Sequence, residues 1–140
     1  MQVSFFRVMG WQEVRVEVVK VEGKLGRGAE EETWWVIGHL INMEEHLFES
    51  GMLDQAALVR DVRRGFVEEW ARSLGLNVEL LRRDWCVYKH AFALMVHLQE
   101  VGCGEAAFKA PELALRAHEV FEAVKSFVHD LVEYHRRGGE

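Results

Sequence analysis

One stretch of this chain occurs twice, and that repetition limits the folds open to it. Residues 33–51 read Thr-Trp-Trp-Val-Ile-Gly-His-Leu-Ile-Asn-Met-Glu-Glu-His-Leu-Phe-Glu-Ser-Gly. Residues 84–102 read Asp-Trp-Cys-Val-Tyr-Lys-His-Ala-Phe-Ala-Leu-Met-Val-His-Leu-Gln-Glu-Val-Gly. Aligned without a gap, Trp34 meets Trp85, Val36 meets Val87 and His39 meets His90. His46 meets His97, Leu47 meets Leu98, Glu49 meets Glu100 and Gly51 meets Gly102. Thr33 and Asp84 lead the two copies, and both residue types favour the N-cap of a helix. Each copy contains no proline and ends on glycine, the usual residue past a helix end.

At 100° per residue, Cys86, Leu94, His97 and Val101 fall within about 40° of His90. Trp85, Tyr88, Phe92 and Met95 occupy the opposite face, and Lys89 and Glu100 mark a narrow charged strip. In the first copy Trp35, Val36 and Met43 flank His39 and His46, while Trp34, Ile37, Ile41 and Phe48 lie opposite. A helix apolar nearly all round belongs in a core. Both copies are therefore expected to be central helices with histidines at least partly buried.

The remaining segments are read by the same signals. Met52 to Leu74 has Val59, Val62, Phe66, Trp70 and Leu74 on one face, with Arg60, Arg63, Arg64 and Glu68 away from it. Gly75 stops it, and Asn77 can cap a helix starting at Val78. A loop containing Gly104 follows Gly102, and Pro111 suits the first turn of a last helix. That helix shows Leu113, Ala117, Val120, Val124, Phe127, Leu131 and Tyr134 in near-heptad order. The first 28 residues carry two signals. Val14, Val16 and Val18 alternate with charged residues like a strand, whereas Phe5, Met9, Gln12, Val16 and Val19 keep helical spacing with one polar exception, and the helix is the favoured reading. The expected fold is all-α: a four- to five-helix bundle of two duplicated hairpins with pseudo-twofold symmetry, plus an N-terminal helix. It forms one domain, with repeat one at about 29–75 and repeat two at about 77–137.

Composition narrows the function classes. A chain of 140 residues that is 49% hydrophobic can bury a core of its own. Its net charge of −6 argues against nucleic acid or an anionic membrane as partner. No apolar run reaches the length of a membrane span, and the charged first twenty residues do not read as a signal peptide. Cys86 and Cys103 form no CxxC and read as reduced thiols of a cytoplasmic protein. Abundant Glu and Arg with few Asn and Gln lean toward a thermophile.

The histidines are the main chemical candidates. His39 and His46 are seven residues apart, about 10 Å along a helix, so they cannot share one ion. His46 with Glu49, and His97 with Glu100, are spaced i,i+3 and can. If the two repeat helices run parallel on a diagonal, His46, Glu49, His97 and Glu100 come to one level and suit Zn, Fe or Mn. His39 and His90 are secondary candidates. The arrangement resembles the Glu-x-x-His pairs of di-iron bundles with the order reversed. The competing reading is that buried histidines bond one another, a carbonyl or Asn42 and serve packing alone. Arg83 and His90, with six residues between, are similar to the Arg-x(4–6)-His signature of HEPN-type ribonucleases. Those are small helical bundles in which arginine and histidine from two protomers cleave RNA without metal. The competing reading there is a solvated helix start. His118, Glu122, Lys125 and His129 read as a solvated flank of the last helix, Cys86 as a small buried hydrophobe, and Trp11 as an interface residue. No phosphate loop, nucleophile elbow or dinucleotide fingerprint occurs. The first expectation is thus a bundle acting by self-association, as a homodimer or with a protein partner. A metal-binding bundle is the second, and a HEPN-like ribonuclease the third.

Overall fold

The computed structural model describes residues 2–5, 14–17 and 27–139. The body is all-α. It comprises α1 (Arg27–Glu49), α2 (Leu53–Leu74), α3 (Val78–Arg83), α4 (Trp85–Gly102), α5 (Gly104–Lys109) and α6 (Pro111–Arg136). The expected N-terminal helix is not formed by the described residues. β1 (Gln2–Phe5) and β2 (Val14–Glu17) pair antiparallel, with Val3 opposite Val16 and Phe5 opposite Val14. In β2 the valine–charge alternation prevails over the helical spacing, because β-branched residues fit a pleated surface better than a helix.

The helix limits follow local chemistry. At Gly75, φ is +66°, a left-handed conformation that closes α2, and its N–H bonds the Arg72 carbonyl. Asn77 Oδ1 accepts from the Leu80 N–H at 3.1 Å and starts α3. Pro111 opens α6, where its missing N–H costs nothing. Three expectations are corrected. α1 begins at Arg27, so Thr33 lies inside it and is not its cap. The helix starting at Val78 does not run on into the second repeat helix: it ends at Arg83, and Asp84 stands at the N-cap position of α4. The segment after Gly102 is the short helix α5 and not an open loop.

α1 packs on α2, α4 packs on α6, and α1 packs on α4. A Cβ added at Gly38 would lie 2.6 Å from the Phe92 carbonyl oxygen and 2.7 Å from Val96 Cγ2. At the other end of the contact, Lys89 Nζ lies 3.7 Å from Glu45 Oε1. The middle of α1 thus meets the middle of α4, and the late part of α1 meets the early part of α4. The helices cross antiparallel and in direct contact, not parallel across a diagonal. The core contains Trp34, Ile37 and Ile41 of α1, Val67 and Trp70 of α2, Tyr88, Phe92 and Met95 of α4, and Val128 and Val132 of α6. Trp70 meets both Tyr88 and Phe92 edge-on, at 5.8 and 5.9 Å between ring centres.

The faces differ from expectation in α6 and α2. Leu113, Val120 and Phe127, expected inward, are exposed, and Ala114, Ala117, Val128, Val132 and His135 are buried. The inward row is shifted because His135 anchors it, and counting apolar residues alone does not register a histidine. Arg63, expected outward on α2, is buried. Its Nε donates to Glu44 of α1 at 2.8 Å, and its guanidinium lies 5.4 Å from the centre of the Trp85 ring.

Candidate functional site

The repeat histidines lie on the outside. His39, His46, His90 and His97 are all exposed, as are Val36 and Met43 on α1 and Val87 and Leu94 on α4. The expectation of buried histidines is therefore overturned. α1 and α4 are apolar on two faces, but only one face of each packs into the core. Trp34, Ile37, Ile41, Tyr88, Phe92 and Met95 take the inner positions because they are the larger hydrophobic surface, and water still solvates the imidazoles outside. Val36, His39, Met43 and His46 correspond under the repeat to Val87, His90, Leu94 and His97. The same outward stripe is thus present twice. On α1 it borders an open depression of about 520 Å³ lined by Glu32, Trp35, Val36, His39, Leu40, Met43 and Gln99. Trp35 stacks on His39 with ring centres 6.1 Å apart, and on Phe121 of α6 at 5.6 Å. Cys86, expected to be a small buried hydrophobe, is exposed as well.

The antiparallel crossing separates His46 from His97. His46 follows Glu45 at one end of the contact and His97 follows Val96 at the other. His46, Glu49, His97 and Glu100 therefore do not gather at one level. Only the second pair is in contact, with His97 Nδ1 3.7 Å from Glu100 Oε2, both side chains exposed. Among the described residues no three His, Cys, Asp or Glu side chains come together as a metal ion requires. Arg83 and His90 are not brought together either. Arg83 holds Asp84 with two hydrogen bonds of 2.9 and 2.8 Å, while His90 faces outward from α4.

Two polar networks join α6 to the rest. In the first, His135 is fully buried between Tyr88 Oη at 2.6 Å from its Nδ1 and Asp84 Oδ2 at 2.8 Å from its Nε2. Hydrogen bonds from Arg83 and then from His135 hold the Asp84 carboxyl well below the usual carboxylate range. An ionised Asp84 only accepts, so Nε2–H donates to it. Nδ1 then accepts from the Tyr88 hydroxyl. Burial, and secondarily the Asp84 charge, push the Tyr88 phenol up and keep its proton in place. The chain Arg83–Asp84–His135–Tyr88 is ordered like a relay, but its histidine and tyrosine have no access to a substrate. It is a latch between the start of α4 and the end of α6.

In the second network, His129 Nε2 lies 3.0 Å from Glu31 Oε1, and its ring packs edge-on against Trp34 at 4.5 Å. Arg136 reaches Glu30 at 3.4 Å and Lys125 reaches Glu31 at 4.0 Å. His118 Nε2 lies 2.9 Å from the Gly102 carbonyl oxygen. The row expected to be a solvated flank is therefore in part a seam between α6, α1 and α4. No sequence signal beyond the position of His135 in the row Val128, Val132, His135 marked these contacts. No family model, curated protein or solved structure matches this chain. No helix among the described residues is long and apolar enough to cross a membrane.

Proposed function

We propose that this chain is a small association module whose two copies pair through the open face of α1 and α4. The observation that carries this reading is the twice-present outward stripe. Val36 and Met43, and their counterparts Val87 and Leu94, are each more than 40% exposed, and all four histidines lie beside them. Apolar rows of this kind on a small protein mark interaction surfaces. The duplication supports self-pairing in particular. Gly38–Val96 and Lys89–Glu45 join positions that correspond under the repeat, which supports a local twofold between α1 and α4. Two like stripes on one face suit an isologous contact, in which each stripe of one copy meets a stripe of the other. Exposed, unpaired Cys86 and Cys103 suit a reducing, cytoplasmic setting for such a module.

Sedimentation equilibrium at micromolar concentration tests this reading. The wild-type chain is expected at twice its 16.2 kDa mass. The double variant Met43→Glu, Leu94→Glu is expected at the single mass, still folded, with a cooperative melting transition that no longer depends on protein concentration. A wild-type chain that stays at the single mass overturns the proposal.

A further inference from the structure

Glu30, Glu31 and Glu32 follow one another early in α1, yet only two of them are paired. Glu30 is reached by Arg136, and Glu31 by His129 and Lys125, all from α6. Glu32 has no ion-pair partner among the described residues. It is exposed, and it lines the open depression of about 520 Å³ on α1. From Glu32 the lining continues with Trp35, Val36, His39, Leu40 and Met43. These positions recur three and four residues apart, so they form one face of the helix. Gln99 lines the depression from α4.

We infer that this depression is a binding site for small aromatic amines, molecules that join a flat apolar ring to a protonated amino group. The lining comes from one copy of the chain, so the inference does not rest on pairing. Small-molecule sites are concave and mainly apolar, carry a few polar groups, and have volumes of about 300–1,000 Å³. The depression has that size and that mixture of side chains.

Each part of such a ligand has a counterpart in the lining. Val36, Leu40 and Met43 give the ring an apolar wall, and the flexible thioether of Met43 adapts to its outline. Trp35 and His39 add aromatic surface. Trp35 is fixed before any ligand arrives, because Phe121 of α6 and His39 both stack on it, at 5.6 and 6.1 Å between ring centres. A site held ready in this way loses less freedom on binding. Charge then selects the amine. Glu32 is the one carboxylate in the lining, and none of the lining side chains is a lysine or arginine. An anion would be repelled there, and a neutral ring would cover Glu32 without pairing it. An ammonium group instead meets the Glu32 carboxylate and the Trp35 ring, which stand side by side at i,i+3 on the helix.

The test is NMR titration of the isotope-labelled full chain with molecules of like shape and different charge: tryptamine, tryptophol and indole-3-acetate. Tryptamine is expected to shift the resonances of the lining residues and to bind with a dissociation constant of about 1 mM or tighter. Tryptophol should bind about fivefold more weakly, and indole-3-acetate more weakly still. Glu32→Gln should bring tryptamine to the level of tryptophol and leave tryptophol unchanged. Val36→Lys, which sets an ammonium group one turn from Glu32, should remove tryptamine binding. Glu68→Gln, on α2 and outside the lining, should bind tryptamine as the wild type does, which separates the Glu32 contact from the overall negative charge. The melting curve of each variant checks that it folds. Leu94→Arg sets a like charge on the proposed pairing stripe without touching the lining, and it is titrated beside the wild type with sedimentation of both. Tryptamine binding by Leu94→Arg alone supports the site and means that a second copy covers it in the wild type. No binding by either protein overturns the amine site, as does binding that neither the ligand charge nor Glu32→Gln changes. The sedimentation result then decides the association reading by itself.

Discussion

Tyr88 and His135 are 47 residues apart in sequence, yet Tyr88 Oη lies 2.6 Å from His135 Nδ1 inside the core. The imidazole is fully buried, and its other nitrogen is bonded to Asp84 at 2.8 Å. This is the shortest polar link between the end of α6 and the start of α4, and every atom in it has a partner.

Removing one partner is costlier than the bond itself is stabilising. Tyr88→Phe keeps the ring in its place among Trp70 and Phe92 but leaves His135 Nδ1 buried without a donor. The expected loss is about 1–3 kcal/mol, read as a lower denaturation midpoint with an unchanged slope. His135→Phe removes the imidazole but strands both the Tyr88 hydroxyl and one bond of Asp84, so it should cost at least as much. A Tyr88→Phe midpoint equal to wild type would show that the bond contributes nothing.

The same network sets two pH limbs of stability. The folded Asp84 carboxyl titrates below its unfolded value of about 3.9. Its contribution is thus fully present above that value and is lost as pH falls below it. Tyr88 in the folded chain titrates above the unfolded value of about 10. Its contribution is present below pH 10 and is lost as pH rises past it. Melting temperature measured from about pH 2 to 11 should fall at both ends. Asp84→Asn should flatten the acid limb, and Tyr88→Phe the alkaline one.

Gly38 is the tightest point of the α1–α4 crossing. Alanine there places a methyl group 2.6 Å from a backbone oxygen of α4, which cannot move aside as a flexible side chain would. Gly38→Ala should destabilise by about 1–3 kcal/mol, although alanine is the better helix former. Gly65→Ala in α2, where a Cβ meets nothing within 4 Å, should be neutral or stabilising. Chemical denaturation of the two variants side by side separates a steric cost from a propensity gain.

The sequence by itself determined the end of α2 and the starts of α3 and α6. Gly75, Asn77 and Pro111 act through φ and through single backbone bonds to near neighbours, so they work the same way in any fold. It also determined that residues 34–49 and 85–101 are helical, because the capping, spacing and absence of proline are local. It did not determine which face of α1 or α4 turns inward, since tryptophan, isoleucine and phenylalanine oppose valine, methionine and leucine on each. That was decided by tertiary packing: α2 and α6 bring the core to one face of each, Phe121 of α6 reaches Trp35 on the other, and Gly38 lets α4 close against α1. The reversal of the histidines from core to surface follows from that one choice. Arg63 and His135 were read as outward or passed over for the same reason. A charged or polar side chain is buried where partners from distant segments complete its bonds, and Glu44, Trp85, Asp84 and Tyr88 arrive only when the helices dock.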